Sequence, residues 1–139
     1  MFLLDSNILS ELMNDDPDVG VLTYLALRHD SQIVTSSICI AEVRTGIACL
    51  PEGKRQAAIS QAFDLVLDRF VDRVIPFAGD DAYAYGLLFA HLKALGATCG
   101  KFDVMIAATA SMHDAVIVTR NVKHFAQTGL IVENPFAFG

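Results

Sequence analysis

Met1-Phe-Leu-Leu4 is an unbroken apolar run that meets Asp5 at once, the pattern of a strand buried on both faces. Gln32-Ile-Val-Thr-Ser36 has the same character, and Ala115-Val-Ile-Val-Thr119 is the clearest strand of the chain. Val74-Ile-Pro-Phe77 contains Pro76, which lacks the N–H that a central strand must donate, so it belongs at a sheet edge or is cut short. Leu130-Ile-Val-Glu133 makes a fifth strand. Between these runs the apolar spacing lengthens to three or four. Ile8, Leu9 and Leu12 predict a first helix, and Asn14 to Asp18 a turn before a short second one. Ile40, Val43, Ile47 and Leu50 mark another, stopped by Pro51 and Gly53. Ile59, Phe63, Val66, Leu67 and Phe70 form the next, and Asp80 and Asp81 open one that runs through Ala84, Leu87, Leu88 and Leu95 to Gly96. A last helix begins near Asp103 and passes Ile106, Ala107 and Ala110 to about His113.

Strands buried on both faces, alternating with helices, predict an α/β fold whose parallel sheet is covered by helices on each side. The 139 residues suffice for one sizeable core, so residues 1–139 are read as a single domain. With 53% apolar and 19% charged residues the chain is no disordered segment. No apolar run approaches the length that spans a bilayer and no leader precedes Asp5, which places the protein in the cytoplasm, away from membranes. Cys39, Cys49 and Cys99 are an odd set without zinc-site spacing and read as buried free thiols. A net charge of −6 excludes a protein that coats nucleic acid with a uniform basic surface. It leaves room for a nuclease, whose chemistry needs carboxylates.

In an open parallel sheet, ligands bind beyond the carboxyl ends of the strands. The residues there are Asp5, Ser36-Ser37 and Arg120-Asn121, and the helices holding Glu42 and Asp103 reach the same edge. Each has a plainer reading: Asp5 and Asp103 as helix caps, Glu42 on a solvated face, Asn121 in a turn. Together they put three carboxylates and an amide on one rim. Such acids repel and raise one another's pKa unless a divalent cation neutralises them, and oxygen-only ligands suit Mg2+ or Mn2+.

Leu3-Leu-Asp5-Ser-Asn7-Ile-Leu-Ser10-Glu-Leu12, Ser37-Ile-Cys-Ile-Ala-Glu42-Val-Arg-Thr-Gly46, Asp103-Val-Met-Ile-Ala-Ala-Thr-Ala110 and Val118-Thr-Arg-Asn121 with Phe125 resemble, in order and across the whole chain, the PIN-domain ribonucleases, and among them VapC toxins of the FitB-like branch. The resemblance implies a three-layer α/β/α domain with a central, mainly parallel five-stranded sheet. It also implies Mg2+- or Mn2+-dependent RNA cleavage by metal-activated water, a homodimer, and a VapB antitoxin in the toxin's groove, forming a toxin–antitoxin hetero-oligomer. Asp5, Glu42 and Asp103 match the family's three best-defined acids and are the expected metal ligands; with Asn121 they make the expected catalytic set. The family commonly has a fourth acid just after Thr-Arg or three residues later, where this chain has Asn121 and His124. Asp114 precedes its strand and does not substitute. Ser37, Thr119 and Arg120 are candidates for the scissile phosphate, since hydroxyls and guanidinium groups favour phosphate oxygens.

Two other classes compete with this reading. Phosphatases that form an aspartyl-phosphate on such an Asp need a second Asp two residues on, where this chain has Asn7, and receiver domains need an acidic pair after the first strand. The non-enzymatic alternative is a degenerate PIN domain that binds RNA or antitoxin without cutting, suggested by the missing fourth acid.

Overall fold

The computed structural model describes residues 1–138. Its strands are β1 (Phe2–Leu4), β2 (Ile33–Ser36), β3 (Arg73–Ile75), β4 (Val116–Val118) and β5 (Val132–Glu133). Its helices are α1 (Ser6–Leu12), α2 (Val19–Ala26), α3 (Ser37–Ala48), α4 (Lys54–Phe70), α5 (Gly79–Ala94) and α6 (Lys101–Met112). The strands form one sheet in the order β3-β2-β1-β4-β5, every pairing parallel. Helices cover both faces, giving the expected three-layer α/β/α architecture.

The core follows from the central strands. Leu3, Leu4, Val34, Ile117 and Val118 are fully buried, and helix residues Ile8, Phe63 and Ile106 pack with them in the same cluster. Pro76 acts as expected: β3 stops at Ile75 and sits at the sheet edge, where a missing N–H breaks no ladder. No helix among the described residues is long and apolar enough to cross a membrane.

The carboxyl-terminal segment docks on α2 through contacts invisible in the local pattern. Arg28 stacks over Tyr24, 3.3 Å from the ring centroid, and pairs with Glu133, which also accepts a hydrogen bond from the Tyr24 hydroxyl. Phe138 meets Tyr24 edge-on at 5.5 Å. Gly20 makes this approach possible. A Cβ there would lie 2.7 Å from the Pro135 carbonyl oxygen and press on that of Phe138. Gly20→Ala must therefore displace backbone, and should cost about 1–3 kcal/mol in a denaturant titration despite the better helix propensity of Ala.

One expectation needs correction. Only Cys39 is buried; Cys49 is exposed and Cys99 half-buried, because both lie at helix ends or loops rather than on a packed face. At the carboxyl terminus Phe136 packs under the Arg120 guanidinium at 4.5 Å.

Candidate active site

The order of the sheet reverses at β1: the chain passes outward to β2 and β3, then returns to β4 on the other side. At such a switch point the connections diverge from the carboxyl edge and leave a crevice. β1 ends there at Asp5, and β4 delivers Thr119 to Asn121 beside it. α3 starts from the end of β2, so Glu42, in its second turn, still overhangs the edge. α6 runs back towards the start of β4, so its first turn, with Asp103, meets the same edge. Asp5, Glu42, Asp103 and Asn121 all line one pocket of about 530 Å3, together with Asn7 and His124.

Asp5 is buried and held on every side. It caps α1, its Oδ1 accepting from the Ser6 N–H at 2.8 Å. Its Oδ2 accepts from the Thr119 hydroxyl at 2.7 Å and from Asn7 Nδ2 at 3.3 Å. The cap reading is thus true of a residue that also lines the pocket. The Thr119 hydroxyl also accepts from Asn7 Nδ2 and from the Asn121 N–H, which uses its one donor and both lone pairs. Asn7 in turn accepts from the Arg120 N–H at 3.1 Å, stitching the β1 and β4 ends together.

Glu42 is the strained member. One carboxylate oxygen, Oε1, is shielded from solvent with no hydrogen-bond partner. Burial pushes its pKa up, and the charges of Asp5 and Asp103 push the same way, while the Ser6 hydroxyl pulls back in part. Asp103 is raised too, first by burial and also by Asp5; His124, whose Nδ1 lies 3.2 Å from Asp103 Oδ2, opposes the rise. Asp5 and Glu42 offer ligand atoms within 4.8 Å of each other, and the nearby Cys39 thiol falls inside that distance. The thiol is a poor ligand for a hard cation: it is fully buried and its pKa is pushed up to about 12, by burial first and then by Asp5. Asp103 lies outside that close group, yet near enough for its charge to raise Glu42. An under-coordinated carboxylate sharing a pocket with two others is what a divalent cation would satisfy, so the donor set fits Mg2+ or Mn2+.

The three groups expected to hold phosphate do not line this pocket. Thr119 is fully buried and saturated by its bonds to Asp5, Asn7 and Asn121. The Ser37 hydroxyl accepts from the Phe77 N–H at 3.1 Å, turned towards β3. Arg120 lies over Phe136. Two residues that sequence reasoning passed over do line it. His124 entered only as the position of an absent acid, and Asn7 only as the reason to reject a phosphatase; both face the pocket. The Asp-Ser-Asn run directly after a buried strand was the available signal for Asn7. Asp114 sits in a left-handed turn (φ 54°) before β4, at the opposite end of that strand.

A switch-point pocket of three carboxylates and an amide on this sheet order defines a class, and the chain belongs to it: residues 2–130 match the PIN domain family. Among its relatives, the VapC ribonuclease Y4jK of Sinorhizobium fredii is 36% identical over 98% of each chain. Toxin FitB of Neisseria gonorrhoeae is 31% identical over 98% of this chain and 99% of its own. Among solved structures, VapBC2 from Rickettsia felis, bound to a DNA fragment from its promoter, superposes with a TM-score of 0.82 at 29% identity, covering 96% of this chain and 97% of the other.

Proposed function

We propose that the protein is the toxin of a toxin–antitoxin pair, an endoribonuclease that hydrolyses RNA phosphodiester bonds with Mg2+ or Mn2+ held by Asp5, Glu42 and Asp103. The observation that carries this reading is the solvent-shielded, unpartnered Oε1 of Glu42, a side chain that shares one pocket with Asp5 and Asp103. Its relatives' names, a VapC ribonuclease and a toxin, support it. Bound there, the cation would act as a Lewis acid on the phosphate and lower the pKa of the attacking water. The chain's own residues do the rest. Ser6 N–H, Thr119 and Asn7 fix the Asp5 carboxylate in one orientation, so no reorganisation is needed when charge develops. His124 holds Asp103, and Asn121 presents an uncharged amide to the pocket for a phosphate oxygen or a water. No side chain is required as a covalent nucleophile.

The test is cleavage of an end-labelled structured RNA by antitoxin-free protein with Mg2+ or Mn2+ and with chelator. Metal-dependent cuts support the reading. RNA binding without cleavage under either ion would select the degenerate module, with Asn121 and His124 in place of the acid as the reason.

The same pocket opens into an apolar groove between α1, α3 and α4, bordered by Met13, Val43, Gly46, Ile47 and Ile59 and sharing Glu42 with the acid site. A helix of a VapB-type antitoxin laid there would bury its apolar face and bring a basic residue to the carboxylates. Gly46 is exposed, and a Cβ built on it meets nothing within 4 Å, so a larger side chain leaves the helix into open space. Gly46→Leu should therefore fold, with a melting temperature no lower, yet weaken antitoxin binding by roughly tenfold or more in a titration, since the groove is then filled. A homodimer belongs to the same proposal, with exposed Tyr83 and Leu87 on α5 as the apolar face to be covered.

A further inference from the structure

The wall of the acid pocket continues into a second hollow of about 430 Å3, bounded by Gly100, Lys101, Phe102 and by the same Glu42 and Asp103. Two shared carboxylates make the hollows neighbours, so a strand whose phosphate lies among the acids passes directly into the second one. Phe102 borders it on the first turn of α6, one residue from Asp103. The residue is 54% exposed and outside the core cluster, and its ring enters none of the ring–ring or cation–ring contacts among the described residues. Other exposed rings are placed differently: Phe89 stacks on Tyr85, and Tyr83 lines neither hollow. Lys101, exposed beside Phe102, puts a positive charge at the far end of an otherwise acidic site. Gly100, which caps α6 on the same wall, makes no side-chain hydrogen bond to the first turn.

We propose that Phe102 is a stacking platform for the nucleobase beside the scissile phosphate, with Lys101 holding the phosphate beyond it, on the strength of the hollow that Phe102 and Lys101 share with Glu42 and Asp103. The proposal rests on the ribonuclease reading and specifies its substrate. A base can lie on a protein ring only when it is out of its own stack, so the site selects nucleotides in single strands or loops and passes over duplex. Every base has a π-face, so the platform chooses by structure more than by sequence; sequence preference must come from elsewhere in the groove.

The experiment uses short single-stranded RNA spanning a mapped cut site, with an abasic nucleotide moved along it, and fluorescence anisotropy in the Asp5→Asn background so that the strand stays whole. One abasic position next to the cut bond should weaken binding about tenfold. Phe102→Ala should weaken binding of the intact strand by a similar factor and make that abasic position cost nothing further, while Phe102→Trp restores both. Additive losses at every position, or unchanged affinity in Phe102→Ala, would overturn the proposal. So would a Phe102→Ala protein that dissociates in sedimentation with RNA affinity intact, which would assign the ring to a protein interface. The two readings fail separately: metal-dependent cleavage that ignores Phe102→Ala removes only the platform, whereas wild-type protein that neither binds nor cuts RNA removes the ribonuclease and the platform with it.

Discussion

Asp5→Asn should lower RNA cleavage on the order of a thousandfold or more while leaving the fold in place. The substitution keeps the shape of the side chain, and the surviving Oδ1 can still accept from the Ser6 N–H and cap α1. What is lost is the charge at the centre of the pocket and the Oδ2 acceptor used by Thr119 and Asn7. The Thr119 hydroxyl can accept from the new amide only by giving up the bond from Asn7 Nδ2 or from the Asn121 N–H, a net loss of one hydrogen bond, so the structural cost is about 1 kcal/mol. Against it stands the relief of Glu42 and Asp103, both raised in part by the charge of Asp5. The two nearly cancel, and the melting temperature should move by no more than about 4 °C. The measurement is cleavage of the same end-labelled RNA by wild type and variant, with a thermal melt of each. Wild-type rates from the folded variant would remove Asp5 from the chemistry. A collapse of the melt would show that the hydrogen bonds to Thr119 and Asn7 matter more to folding than the charge does to repulsion.

The second large effect is on stability, through pH and divalent ions. Glu42 and Asp103 have folded-state pKa values above those of ordinary carboxylates, so between the ordinary and the raised values the folded protein binds more protons than the unfolded chain. Stability falls with rising pH wherever the folded state holds the extra protons. The metal-free protein should therefore be most favoured by these two groups below the ordinary carboxylate range. It should lose that contribution as the pH climbs through their raised values, then level off. Mg2+ or Mn2+ should reverse the loss at neutral pH, because the cation binds the ionised acids of the folded state alone. At a hundred times its dissociation constant it adds about 2.7 kcal/mol, or roughly 5–10 °C in melting temperature for a chain of this size. The gain should shrink as acid protonates the ligands, and should be lost in Glu42→Gln. Melts across pH, with and without the ion, would show this; a cation shift of equal size in wild type and Glu42→Gln would mean that the ion binds elsewhere.

Five strands, six helices and the edge position of β3, which stops at Pro76, were legible in the sequence, because burial on one or two faces is imposed residue by residue along each element. The end-of-strand rule then picked out Asp5, Glu42, Asp103 and Asn121, since in a parallel sheet every strand points its carboxyl end the same way. His124 was not legible as a pocket residue, nor was Thr119 as a buried support in place of a phosphate ligand. The difference lies in distance along the chain. Asp5 and Thr119 are 114 residues apart, as are Asn7 and Arg120 by 113, and these partners meet only because β4 inserts beside β1. That strand order is a property of how whole layers pack, and no local period carries it. Cys39 shows the same limit on a smaller scale: its apolar helix announced burial, but only the fold puts its thiol 3.9 Å from Asp5. Periodicity thus settled which groups leave water and along which element, because transfer from water is a property of each side chain and its neighbours in the chain. The juxtaposition of strand ends settled which carboxylate is braced, which is left unsatisfied and which hydroxyl is used up, because hydrogen bonds and Coulomb forces depend on contacts that exist only after the sheet has closed.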